Sequence, residues 1–232
     1  MKTFVTYQML SLFHSLKWMP PAILYVAWLF SQYSYQNLPI ADSHSISAFF
    51  LYPVVVWLTM IVFNLEKGSE KLILLSYMRK REHFLYGKMV VVFLGGLILA
   101  AVSFMMPIVL GIFAEPLTSE RIGLFLYGHI VFVMLGLFTG SLFSATSMGG
   151  KKYSWSGSAF VVCAAIAGSK IMDVLPEALK WIVFILPPVT AVSNTIKEGM
   201  YDHPVGIVWS VAYVIIGFIV LRSLFLMREK VN

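Results

Sequence analysis

Residues 89–113 run for 25 positions without a charged side chain. An α-helix needs about 20 consecutive apolar residues to cross the hydrocarbon core of a bilayer. Other apolar runs occupy residues 21–35, 46–65, 122–147, 154–172 with Lys170 near its end, and 205–227 with Arg222 near its end. The whole chain of 232 residues is 59% hydrophobic and only 12% charged, with a mean hydropathy of +0.83. A soluble domain carries about twice that charged fraction. The bilayer is therefore the expected solvent, and six spans leave no room for a separate soluble domain.

The stretches between the runs set the topology. In residues 1–19, Val5, Met9, Leu12 and Leu16 form one helical stripe, while Thr3, Ser11, His14 and Lys17 fall largely elsewhere. This predicts a helix lying in the membrane interface, turned into the first span by Pro20 and Pro21. Polar Gln8, Ser11, His14 and Lys17 also break the run that a cleavable signal would require. Residues 173–204 contain a short apolar core, 179–192, interrupted by Pro187 and Pro188. Charge decides its reading. With the N-terminus, residues 64–88, the turn 148–153 and the C-terminus on the cytoplasmic face, that face holds 13 of the 17 Lys and Arg. The other face holds Arg121, Lys170, Lys180 and Lys197 against seven acids, a positive-inside pattern. A full crossing by 179–192 would put the basic C-terminus outside. The segment is therefore read as a re-entrant pair of half-helices, covered by protein or facing water. The expected fold is a single all-α polytopic membrane domain over residues 1–232. It has an interfacial helix (1–19), six transmembrane helices and an outer re-entrant segment (173–204) before the last.

Several chemistries are excluded. The net charge of +6 lies beside apolar runs, so it reads as topology and not as nucleic-acid binding. The lone Cys163 bridges nothing and reads as a small buried hydrophobe. No phosphate-binding loop exists: before Gly87 and Lys88, Glu82 stands where the first glycine belongs, and Met89 follows. The five histidines, 14, 44, 83, 129 and 203, are scattered, and His129 reads as a packing residue. No metal or cofactor is expected in this chain. The spans carry almost no mid-membrane charge, which argues against ion or proton coupling.

Residues 64–88 are the most charged segment. They carry Lys67, Lys71, Arg79, Lys80, Arg81 and Lys88 with Glu66, Glu70 and Glu82, and an apolar patch at 72–75. A positive-inside anchor requires only Lys and Arg. It does not explain three glutamates or four consecutive apolar residues. An amphipathic inner helix that docks on a partner explains both. Glu66 and Glu70 are four apart, so on a helix they share a face. That face is expected to meet basic residues of a partner, or Lys67 and Lys71.

This segment resembles the inner loop of the membrane subunit of type-2 ABC exporters. The matching residues are Glu66, Gly68 with Ser69, Glu70, the apolar run 72–75, the basic stretch 79–82, and Gly87 with Lys88 at the head of the third span. Pro187 and Pro188, following Pro176, Lys180 and Trp181, look like that family's re-entrant region. The chain departs from the pattern in lacking a proline before the basic stretch, and its short outer loops exclude a large extracytoplasmic domain. The resemblance implies ATPase coupling through Glu66, Gly68, Glu70, Leu72, Leu75, Arg79, Arg81, Glu82 and Lys88. It also implies an ABC ATPase partner that holds ATP and Mg, and a second permease copy, identical or related. The implied location is the plasma membrane, with both termini cytoplasmic, in a bacterium.

Two further features are expectations. Gly136, Gly140 and Ser144 lie four apart, a small-residue stripe suited to close helix packing. Tyr25, Trp28, Gln32 and Tyr52 are candidates to line a substrate path. Short outer loops and uncharged spans suit a hydrophobic or amphipathic cargo: a peptide such as a toxin, bacteriocin or antimicrobial peptide first, a lipid or lipid-linked glycan second. A membrane-embedded enzyme or sensor without an ATPase is the competing class.

Overall fold

The computed structural model describes residues 2–66, 68–78, 80–146, 153–199 and 204–231, without the side chains of 228–231. Among the described residues the named elements are all helices, with one isolated bridge between Leu38 and Phe113. The elements are α1 (Lys2–Ser15), α2 (Met19–Gln32), α3 (Ile40–Phe63), α4 (Gly68–Tyr77), α5 (Glu82–Val109), α6 (Ser119–Ala145), α7 (Ser154–Ile166), α8 (Gly168–Val174), a 3-10 helix (Glu177–Ile185), α9 (Val189–Glu198) and α10 (Pro204–Val231).

Among the described residues, four helices are long and apolar enough to cross a membrane: α3, α5, α6 and α10. Two bent pairs raise the count to as many as six. One is α7 with α8, bent by 68° where the helix restarts at Gly168; the other is the 3-10 helix with α9, bent by 83°. The second bend has a clear cause. Pro187 and Pro188 supply no N–H, and a residue before proline is pushed out of the helical region; Leu186 accordingly sits at ψ 150. The bend falls inside the segment read as re-entrant. The run at 21–35 is different from expectation. Its helix, α2, has 14 residues, about 21 Å at 1.5 Å per residue, short of a 30 Å core. A count of six would take both bent pairs, and not α2, as spans.

The core is built on α3 and α6. Of their most apolar windows 61% and 67% are buried, against 33% for α5 and 22% for α10. The small-residue stripe explains how close these two helices come. A Cβ on Gly136 would stand 2.9 Å from the Tyr52 carbonyl oxygen, and one on Gly140 would stand 2.8 Å from that of Val56. Ser144 follows one turn on and donates its hydroxyl to the Gly140 carbonyl at 2.8 Å. Thr118 caps α6, its side chain accepting from Arg121 N at 3.3 Å.

Local differences have local causes. In α1 the packed stripe is Phe4, Val5, Gln8, Met9 and Leu12. Leu16 lies beyond the helix end at φ 54 and is 59% exposed, so it leaves the expected stripe. Cys163 is exposed on α7 and not buried within the chain. Residues 64–88 are not one loop, because α5 begins at Glu82 and takes the last seven of them into its first turns.

Candidate functional site

The charged end of the bundle is where α1, the α3–α4 connection and the start of α5 meet. Glu66 follows the end of α3, which Asn64 closes by donating its side-chain amide to the Met60 carbonyl at 2.8 Å. The Glu66 carboxylate is 3% exposed and Lys88 is 0% exposed; they form an ion pair. Lys88 Nζ also donates to the Val62 carbonyl at 2.6 Å and lies 5.0 Å and 5.6 Å from the ring centroids of Phe84 and Phe63. The other Glu66 oxygen accepts from Gln8 Nε2, and Gln8 is fully buried. One carboxylate therefore joins α1, the α3–α4 connection and α5. Lys88 is satisfied on every side, as a buried cation must be.

A second contact of the same kind lies one turn further out. The Tyr7 hydroxyl donates to Glu70 Oε1 at 2.6 Å, joining α1 to α4. The hydrogen bond to Glu70, aided by burial and by the charges of Glu70 and Glu66, raises the Tyr7 pKa above its usual value. Phe4 packs on Phe84 with ring centroids 5.5 Å apart. Any Cβ on Gly87 would overlap the Phe4 ring. Gly87→Leu is therefore expected to push α1 off α5 while leaving α3 and α6 packed. Limited proteolysis checks this: cleavage within residues 2–15 should rise at least several-fold while the rest of the chain stays resistant.

These contacts use one face of α4. Glu70, Lys71, Leu74, Leu75 and Met78 turn towards the protein, while Ser69, Leu72, Ile73, Ser76 and Tyr77 turn away. Leu72, Ile73 and Tyr77 are 67%, 57% and 87% exposed. The expectation that Glu66 and Glu70 share a face of one helix is not met, because Glu66 precedes α4. Glu66 is engaged by Gln8 of α1 and Lys88 of α5, and Glu70 by Tyr7 of α1. The outward face is apolar. Gly68 is exposed with open space around it, so its place does not require glycine. Arg81 is exposed, and Glu82 pairs with Arg222 of α10 at 3.0 Å. Arg79, Lys67 and the Lys151–Lys152 turn lie outside the described residues.

The proposed substrate-path residues do not come together. Tyr25 and Tyr52 are fully buried, hydrogen-bonded to the Ser47 carbonyl (3.2 Å) and to the Thr139 hydroxyl (3.1 Å). They are core residues of this chain. Gln32 donates to the Ser43 carbonyl at 2.9 Å, bracing α2 on α3. Only Trp28, stacked on Phe50, borders an open groove.

Sequence reasoning missed Tyr7 and Gln8, which act as anchors. Gln8 was visible as a polar residue three and four positions from Val5, Phe4 and Leu12 on the packed stripe. It also missed a network around His129. That ring is 1% exposed; Nδ1 donates to the Phe125 carbonyl at 2.9 Å, and Nε2 faces the Ser103 and Ser47 hydroxyls at 3.0 and 3.3 Å. His129 thus joins α3, α5 and α6 as a packing residue.

No family model, no curated protein and no solved structure matches this chain.

Proposed function

We propose that this chain is the membrane subunit of an ATP-driven exporter, with α4 as the element on which a separate ATPase subunit docks. One observation carries the reading. α4 is tied to α1 by Tyr7 and Glu70, the connection leading into it is tied to α1 and α5 by Glu66 with Gln8 and Lys88, and its outer face presents Leu72, Ile73 and Tyr77. An isolated solvent-facing helix has no use for that apolar face, whereas a partner's groove does. The buried Glu66–Lys88 pair ties the connection leading into α4 to the head of α5, so a push on α4 is transmitted to a helix long and apolar enough to cross a membrane. ATP and Mg belong to the partner. A second permease copy, identical or related, completes the path. Both termini face the cytoplasm of a bacterial cell, and the cargo is an amphipathic peptide first, a lipid or lipid-linked glycan second.

The competing class, an embedded enzyme or sensor, requires polar groups converging on an open cavity. The groups that converge here, around His129, satisfy one another. The test is co-expression with an ATPase encoded beside this chain. The two are expected to co-purify, and Mg-dependent ATP hydrolysis is expected only with the ATPase present. Hydrolysis by this chain alone, or failure of the two to associate, refutes the reading.

A further inference from the structure

At the end of the bundle opposite the charged site, a groove with room for about 430 Å³ runs between α2, α3 and α9. Trp28, Ile46, Phe49 and Phe50 form its apolar wall, with Trp28 stacked on Phe50 at 4.2 Å between centroids and 8° between planes. At its rim Lys197 Nζ stands 3.6 Å from Asp42 Oδ1, and the two side chains are 46% and 55% exposed. From Asp42 to Phe50 is eight residues of α3, or about 12 Å along the helix axis. The groove therefore descends from a charged rim to the depth of acyl chains in a bilayer that α3 crosses.

We propose that this groove holds one phospholipid with a zwitterionic, primary-amine head group, phosphatidylethanolamine. Its phosphate meets Lys197, its ammonium meets Asp42, and an acyl chain lies on the wall of Trp28, Phe49 and Phe50. Charge complementarity selects the head group. A cation and an anion side by side match a zwitterion, and their own exposed pairing is a weak competitor. A choline head cannot donate a hydrogen bond to Asp42, and a glycerol head carries no cation. The inference rests on α3 crossing a membrane and is independent of the proposed transport function.

Native mass spectrometry of the purified full chain tests it. The chain is mixed with equal amounts of phosphatidylethanolamine, phosphatidylcholine and phosphatidylglycerol of identical acyl chains. One phosphatidylethanolamine per chain is expected to be retained about fivefold over either competitor. Asp42→Asn should abolish the preference over phosphatidylcholine, and Lys197→Ala should weaken retention of all three. Lys180→Ala, whose partner Glu177 lies on the 3-10 helix, should change nothing. Equal retention of the three lipids by the unmodified chain, or a preference that survives Asp42→Asn, overturns the proposal. Lipid-free dimers in which a second copy covers the groove overturn it as well.

Discussion

Replacing Glu66 by alanine is expected to cost about 3–5 kcal/mol of stability, the range for removing one partner of a buried ion pair. Lys88, 0% exposed, would keep only the Val62 carbonyl and the faces of Phe84 and Phe63 around a buried positive charge. Gln8 would lose the acceptor of its amide; its own Oε1 already has no partner. In a chain of this size the loss corresponds to a fall in Tm of roughly 6–20 °C. Glu66→Leu combined with Lys88→Met should recover most of it, because replacing both members of a buried pair by apolar groups is often neutral. Thermal unfolding of the detergent-solubilised variants reads both effects. A Glu66→Ala variant that melts with the unmodified chain would show that Lys88 does not depend on Glu66.

Gly140→Leu is expected to be at least as damaging. Its Cβ would stand 2.6 Å from Thr59 Cβ and 2.8 Å from the Val56 carbonyl oxygen. Backbone cannot yield as a flexible side-chain tip does, so α3 and α6 must separate. Overpacking a core costs about 1–3 kcal/mol, and more when backbone shifts; here the two most buried spans are involved, and a loss of about 3 kcal/mol or more is expected. Gly123→Leu is the matched control on the same helix, since a Cβ there meets nothing within 4 Å. It should be neutral, or stabilising by up to about 1 kcal/mol through helix propensity. Equal melting of the two variants would contradict the close approach.

The sequence made the long helices legible because apolar runs of about 20 residues with few or no charges have few alternatives in a bilayer. The bend at Pro187 and Pro188 was legible for the same local reason: proline has no amide proton. Gly136 and Gly140 were visible as a stripe, but the helix they face, α3, is a tertiary fact. Three things were hidden. α2 reads as a span by composition, yet it stops at Gln32, where the side chain turns to the Ser43 carbonyl. Lys88 reads as the last residue of a loop, yet α5 starts at Glu82 and draws it inside. Glu66 and Glu70 read as one helix face because i, i+4 spacing assumes a single helix, and α4 begins only at Gly68. Their partners, Gln8 and Tyr7, lie 58 and 63 residues away, a separation that periodicity does not report.

We propose the outward face of α4 as the docking surface for an ATPase. Its most direct test is the amount of ATPase subunit retained by equal amounts of purified chain carrying Leu72→Asp. Leu72 is 67% exposed and makes no part of the Glu66–Lys88 contact, so the chain itself should remain folded. A charge placed in a desolvated apolar joint costs about 2 kcal/mol or more, and retention should fall at least tenfold. Lys180→Ala, on the 3-10 helix, should retain the ATPase fully. Undiminished retention by Leu72→Asp, or an equal loss in Lys180→Ala, would contradict the claim.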